Sequence, residues 1–470
     1  MFSAIGRRAV ARFTTAIVVS GLIGAGVVAG AGAAAADDAP PVQQLGGAAA
    51  TIDGLKTYDS AVIHEDGGDR KVSAGLFEMT VNGGGKLSTY CIDIHNPTKQ
   101  QAPYLETPWA QTSLGANSDA GKIRWILQNS FPQVNDLAKL AKEAGAGELS
   151  EKTAAAGTQV AIWRYSDHVK VDAGDKQAEM LADWLTTEAA KAANVGEPKA
   201  SLTLDRTAVS GKAGEKLGPV TVHTDADSVT VAQGAGLADS GVTVVDAAGK
   251  PVTAPVGNGA KLFFDVPANA QPGSGSLTVQ ATTRVPVGRA FASGTGSQTQ
   301  ILAGSSESTV SAGATATWGK QGAIPAVSAQ KNCAKGGVDI TAANTGDEDF
   351  TFELAGTSYT IGAGQSRTVT IPVAEDQAYD FTITGPGGFK KEFQGVLDCK
   401  TAAQTGGSTP TPQPSPASVG GATTGGTDNL AETGSSSATP MIAGIAIALV
   451  VLGGGAVFLL RRKKSTGNAE

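Results

Sequence analysis

The stretch SEKTAAAGTQVAIW, from Ser150 to Trp163, decides how the first half of this 470-residue chain is read. Ser150 can accept a hydrogen bond from the first turn of a helix, and the Ala-rich run behind it predicts a helix through Trp163. Within that run Gln159 stands among Ala155, Ile162 and Trp163 at helical spacing, so its amide needs a partner for both of its ends. Helical patterns continue on either side. Asn135 precedes an Ala/Leu/Lys run ending near Gly145, and Met180, Leu181, Trp184 and Leu185 recur at the same period. Upstream, Leu76 to Val81 and Leu87 to Ile94 form a hairpin pattern around Asn82-Gly83-Gly84-Gly85. That glycine run before Lys86 lacks the rest of a phosphate-binding loop and is read as a turn. These features define a mixed α+β module over residues 50–195, which contains four of the five tryptophans, Trp109, Trp125, Trp163 and Trp184.

The period changes after Pro198. Short alternating runs take over, among them Leu202 and Leu204, Val220 and Val222, Leu262 and Phe264, and Leu277 and Val279. Turn residues recur between them, the pattern of an antiparallel β-sandwich over 198–305. A second such pattern covers 313–400, with Val338 and Ile340, Phe350 and Phe352, Val369 and Ile371, and Tyr379 and Phe381 alternating. The expected fold class is therefore multidomain, a mixed α+β domain followed by two antiparallel, immunoglobulin-like β-sandwiches. Cys333 and Cys399 bracket the last one, and in an exported protein they are expected to form a disulfide worth about 4 kcal/mol.

Both ends of the chain carry addresses. Residues 1–36 combine Arg7, Arg8 and Arg12 with an apolar run and then Ala33-Ala34-Ala35-Ala36, the layout of a cleaved secretory signal peptide. At the other end a Thr/Pro/Ser/Gly-rich spacer over 401–429 leads to Leu430-Ala431-Glu432-Thr433-Gly434. An apolar transmembrane span over 441–460 follows, then a basic cytoplasmic tail over 461–470 with Arg461, Arg462, Lys463 and Lys464. The pentapeptide resembles the LAXTG form of the sortase recognition sequence. That resemblance implies cleavage between Thr433 and Gly434 and attachment of Thr433 to peptidoglycan, with the membrane held only before sorting. It places the mature protein on the cell wall of a Gram-positive bacterium.

Pairing Cys333 with Cys399 leaves Cys91 alone, in the strand pattern Ser88-Thr89-Tyr90-Cys91-Ile92-Asp93. An unpaired thiol outside the cell must be buried, paired between chains or chemically committed. Tyr90-Cys91-Ile92 together with Thr158-Gln159, Ala161 and Trp163 resembles the signature of the bacterial thioester (TQXA) domains of Gram-positive surface adhesins, over roughly residues 50–195. The resemblance implies that Cys91 Sγ attacks the Gln159 side-chain carbonyl, ammonia leaves, and an internal thioester remains. Such an acyl group transfers to an amine on a partner surface protein without a cofactor. Tyr90, Ile92 and Trp163 would limit hydrolysis, and Leu127-Gln128 corresponds to a further short motif of the family.

Candidates for acid or base help are Asp93, His95, Asp167 and His168, with ordinary surface or loop roles favoured for both histidines. Two other functions compete. A cysteine hydrolase would use Cys91 with His168 as base but leave the Thr158 to Trp163 pattern unexplained. A passive wall-anchored binding protein would simply bury Cys91. The formal charge of −7, with 17% charged residues, argues against nucleic acid as partner. The scattered histidines His64, His95, His168 and His223 offer no metal-ligand spacing, no cofactor is expected, and no spacing singles out a Lys–Asn isopeptide triad.

Overall fold

A computed structural model describes residues 46–234 and 236–400. The signal segment 1–36, the spacer 401–429, Leu430 to Gly434, the apolar span 441–460 and the tail 461–470 lie outside the described residues.

The helix read from Ser150 runs over Glu151–Ser166. Ser150 Oγ accepts the Thr153 N–H at 3.2 Å, and Thr153 Oγ1 accepts the Ser150 N–H at 2.9 Å, which satisfies two first-turn donors at once. Every residue from Ala154 to Trp163 is buried, so the helix lies inside the module with apolar contacts all round. Its small residues permit this. A Cβ on Gly157 would stand 2.4 Å from the carbonyl oxygen of Ala178, on the neighbouring helix Lys176–Lys191. The Ala/Leu/Lys run forms the short helix Leu137–Ala144, capped by Asp136 and ended by Gly145 at φ 62°.

Around the buried helix a seven-stranded sheet runs in the order Gly68–Val81, Lys86–Cys91, Gln300–Ser305, Ala290–Ala292, Pro103–Thr107, Ala49–Glu65, Val171–Ala173. The long strand Ala49–Glu65 also pairs with Gly68–Val81, so six of the strands close into a circuit, with no free edge beside Cys91. The expected hairpin is present: Phe77 to Thr80 pair with Thr89 to Lys86, and Gly83, Gly84 and Gly85 turn the chain at positive φ.

Two strands of this sheet come from far along the chain, which corrects the expected boundaries. The segment 285–305 was assigned to the first sandwich. Instead it returns to the first module, where Gln300 pairs with Cys91 and Ile301 with Tyr90. The first module is therefore not confined to 50–195, and the middle β-rich segment is inserted into it. That segment has two four-stranded sheets. One contains Leu202–Leu204, Lys216–Thr224, Lys261–Asp265 and Thr243–Val245, and the other Ala208–Lys212, Glu307–Gly319, Gly273–Arg284 and Thr230–Gln233. It is not purely antiparallel, since Glu307–Gly319 runs parallel to Ala208–Lys212. Glu307–Gly319 also crosses the expected start of the last module at 313.

The last module starts near Pro325 and has its own core, including Val338, Ile340, Phe350, Phe352 and Ile383. Three small sheets build it, of three, two and two strands. Cys333 and Cys399 are joined in it, with sulfurs 2.07 Å apart and Cα atoms 5.2 Å apart.

A buried carboxylate holds the crossing points together. Glu106 accepts hydrogen bonds from the N–H groups of Ala48 and Ser201, both at 3.0 Å, and from Arg289 Nε at 2.9 Å. Its side chain is fully buried and that of Arg289 is 4% exposed. These partners belong to the segment entering the first sheet, the start of the middle β-rich segment and the returning segment.

Candidate functional site

Cys91 ends the strand Lys86–Cys91, and Gln159 projects from the buried helix toward it. The Gln159 amide lies against the Cys91 backbone in both directions. Cys91 N–H donates to Gln159 Oε1 at 2.9 Å, and Gln159 Nε2 donates to Cys91 O at 2.8 Å. This answers the requirement read from the sequence, that a glutamine in an apolar helix must satisfy both ends of its amide. The Cys91 sulfur accepts the Asp93 N–H at 3.3 Å. Both residues are completely buried.

The motif neighbours frame the pair. Tyr90 is buried and its hydroxyl donates to the Phe131 carbonyl at 2.8 Å; burial raises its pKa. Thr158 donates to Ala154 O at 2.8 Å, and Ala161 is fully buried. Trp163 is 1% exposed, and its indole N–H has no hydrogen-bond partner. It lies near enough to the Cys91 sulfur to favour the thiolate slightly while falling outside hydrogen-bond geometry. Gln128, by contrast, is exposed at the end of the helix Ala120–Gln128.

The electrostatics hold the thiol in its neutral form. Burial pushes the Cys91 pKa well up, and Asp167 and Asp93 push it further. Asp167 is fully buried; its Oδ1 accepts the Ile94 N–H at 2.9 Å and its Oδ2 the Ser166 hydroxyl at 2.6 Å. Burial raises its carboxyl to about 7. Asp93 is 1% exposed; one oxygen accepts from Asn96 at 2.7 Å and the other has no partner. Burial and then the neighbouring Asp398 hold Asp93 well above the usual carboxylate range.

Neither nearby histidine takes up a base's position. His168 is exposed at φ 54°, while Cys91 is wholly buried. His95 is half-buried with its Nε2 unpartnered, and burial lowers its pKa. Among the described residues no histidine is hydrogen-bonded to Cys91.

The residues that sequence reasoning missed come from the returning segment and the last module. Ile92 donates its N–H to the Thr299 carbonyl at 3.1 Å. Thr89 donates to Gln300 Oε1 at 3.0 Å, Gln300 to Gln298 Oε1 at 3.1 Å, and Gln298 to Asn96 O at 2.8 Å. Thr299 in turn donates its hydroxyl to Asp398 at 2.7 Å. The run Thr295-Gly296-Ser297-Gln298-Thr299-Gln300 has neither apolar alternation nor a helical period, and that polarity inside a β-rich region was the one signal available.

The arrangement suits acyl chemistry at the Gln159 amide. Attack at Gln159 Cδ would leave the developing oxyanion on the Cys91 N–H that already holds Oε1, a donor placed before reaction. The departing nitrogen is already turned toward Cys91 O.

Residues 88–191 match the family described as "Thioester domain", and residues 325–396 match "Bacterial phospholipase C, C-terminal domain". No curated protein matches the chain. Among solved structures the chain is similar to "The Bacillus anthracis TIE protein", with 13% identity and a TM-score of 0.27, over 76% of this chain and 81% of that one. It is also similar to "Thioester domain of the Enterococcus faecium TIE86 protein", with 14% identity and a TM-score of 0.26, over 58% of this chain and 97% of that one. At such identities and superpositions these two structures carry no weight in assigning the site. The segment 88–191 that matches the thioester-domain family includes both Cys91 and Gln159.

Proposed function

We propose that this protein is a surface adhesin that forms an internal thioester between Cys91 and Gln159 and transfers the Gln159 acyl group to a primary amine on a partner surface. The observation that carries the reading is the reciprocal pairing of the Gln159 amide with the Cys91 backbone, at 2.9 and 2.8 Å, in a fully buried setting. In the first step Cys91 Sγ bonds to Gln159 Cδ, the Cδ–Nε2 bond breaks, and the thiol proton leaves with the nitrogen as ammonia. In the second a neutral amine attacks the same carbon, the C–S bond breaks, and an amide and a free Cys91 thiol result. Thioester energy drives this step, so no cofactor is needed. Burial protects the thioester from water until a target arrives.

Export by the segment 1–36 and sortase-mediated attachment of Thr433 to peptidoglycan complete the proposal, because a covalent adhesin must itself be held covalently to resist shear. The hydrolase reading is weaker, since it needs a base beside Cys91 and His168 is exposed. Intact mass of the secreted chain tests the proposal. The wild type should be lighter than its sequence by one ammonia beyond the disulfide loss, and Cys91→Ala and Gln159→Ala should not. Methylamine should replace the deficit by its adduct in the wild type alone. A wild-type mass with a free thiol and an intact amide would sink the proposal.

A further inference from the structure

Trp163 carries a hydrogen-bond donor that the unreacted site leaves idle. The side chain is 1% exposed, and among the described residues its buried indole N–H has no hydrogen-bond partner. Buried donors are almost always paired, because an unpaired one forfeits its hydration without return. Phenylalanine would fill an apolar slot without that penalty, so the N–H calls for an acceptor. Position on the helix indicates which one. Trp163 follows Gln159 by four residues in Glu151–Ser166, one turn along the same face, and helical side chains lean back toward the N-terminus. The indole thus lies over the turn that carries Gln159, whose amide is bonded in both directions to the Cys91 backbone.

The atom there whose charge changes is the Cys91 sulfur. Burial first, then Asp167 and Asp93, oppose its thiolate; the Asp93 N–H, 3.3 Å from Sγ, and the Trp163 indole favour it. In the unreacted site the indole stops short of hydrogen-bond geometry. A neutral sulfur is a weak acceptor and holds no donor firmly, whereas an ionised acceptor shortens and strengthens its hydrogen bonds. Sulfur is ionised at two moments of the proposed chemistry, when Cys91 attacks Gln159 Cδ and when an amine expels it.

We propose that the Trp163 indole N–H is the second donor to the Cys91 sulfur, engaged when that sulfur carries negative charge, as the thioester forms and again as an amine displaces it. The inference rests on the thioester reading given above. In the displacement the amine nitrogen bonds to Gln159 Cδ, and the C–S bond breaks with its electron pair going to Sγ. The Asp93 N–H and the indole N–H hold that charge until the proton lost by the attacking nitrogen reaches sulfur and leaves a thiol. Trp163 keeps its own proton throughout, so it stabilises the leaving group without being consumed. Ring and N–H then have separable roles: the ring excludes water, and the N–H lowers the barrier to opening.

The test uses the secreted chain in three forms: wild type, Trp163→Phe, and a chain with benzothienylalanine in place of Trp163, where a ring sulfur replaces the indole N–H at nearly the same shape. Intact mass follows loss of the thioester in methylamine and in amine-free buffer, and thermal melting reports the fold. Without the donor, methylamine should consume the thioester at least about tenfold more slowly, and water should act more slowly too. A slower gain of the ammonia deficit after synthesis counts the same way, because the attacking sulfur carries the same charge. A role in packing alone predicts the opposite, since a loosened ring admits water and amine and speeds both losses. Should Trp163→Phe melt below the wild type, the isosteric chain decides. The inference falls if that chain loses its thioester as fast as the wild type or faster. A wild type without the ammonia deficit would instead refute the thioester reading itself, so the two failures are told apart.

Discussion

Replacing Asp167 by asparagine should reverse sign in its effect on stability as pH rises. Asp167 is fully buried, and burial lifts its carboxyl from the ordinary 3.8 to about 7. Below about pH 4 the group is protonated in both folded and unfolded chains and adds no pH dependence. Between about 4 and 7 the folded chain holds a proton that the unfolded chain has released, so stability falls as pH rises through this window. The shift of about three units, at about 1.4 kcal/mol each, makes the loss about 4 kcal/mol by pH 7. Asparagine removes the titration while keeping an oxygen to accept the Ile94 N–H; the Ser166 hydroxyl, which also reaches Ile162 O at 3.1 Å, can turn to accept from the new amide.

The assay is urea unfolding of wild type and Asp167→Asn at several values between pH 4 and 8. Tryptophan fluorescence suits it, because Trp109, Trp125, Trp163 and Trp184 all lie in the first module. The variant should be no more stable than the wild type at pH 4 and should gain on it by about 4 kcal/mol on reaching pH 8. Asp398 remains in both proteins, and Asp93, which the Asp167 charge helps to raise, relaxes toward its ordinary range in the variant and so adds to the gain at high pH. A difference curve flat to within about 1 kcal/mol, or one that falls, would refute the reasoning. Loss of the Asp167 charge should also lower the Cys91 pKa, which Asp167 helps to raise.

Removing the carboxylate at the chain crossing, Glu106→Ala, strips buried Arg289 of one of its two carboxylates, Glu197 remaining, and leaves the Ala48 and Ser201 N–H groups unpaired, which should cost about 3 kcal/mol in urea unfolding. Joint replacement by Glu106→Leu and Arg289→Leu should recover only the part of that loss due to Arg289, the Ala48 and Ser201 N–H groups staying unpaired, and a double variant as weak as the single one would argue against a clamp. Gly157→Ala should destabilise by about 1–3 kcal/mol despite the better helix propensity of alanine, because the added methyl meets the Ala178 carbonyl at 2.4 Å; a neutral or raised melting temperature would contradict this. A chain cut to residues 50–195 should give no cooperative melt and should bind a hydrophobic dye, since it lacks the strand that pairs with Cys91. A sharp transition for that fragment would show the returning segment to be dispensable.

The proposed reacting pair was legible because local chemistry reports it. Gln159 sits at a spacing where an amide has no solvent and Cys91 is a cysteine without a partner, and each position is interpretable from its immediate neighbours. The capped helix from Ser150 and the glycine hairpin before Lys86 were legible for the same reason, since caps and turns are set within a few residues. The sheet's composition was not. Alternation identifies a strand and its buried face but carries no information about which strand lies beside it. Ala290–Ala292, buried at all three positions, does not alternate at all, as expected for a strand covered on both sides.

The same limit explains why half of the site's surroundings were invisible. Gln300 pairs with Cys91 and Thr299 holds the Ile92 N–H only because the chain leaves the first module, builds two further sheets and comes back, and Asp398 of the last module reaches the site only through Thr299. A consequence follows for reactivity. Water must be kept from a thioester, and the strand that closes the sheet beside Cys91 belongs to the returning segment, whose Thr299 holds both the Ile92 N–H and the Asp398 carboxylate. In the proposed transfer, however, an amine must reach a carbon of the fully buried Gln159. Moving the helix that carries Gln159 would break its packing on every side, whereas moving the last module breaks polar contacts at Asn96 and Thr299 and the pairs Ser210–Thr345 and Lys212–Asp347. For the proposed thioester, the part of the chain outside the segment matching the thioester family is thus the expected route of access.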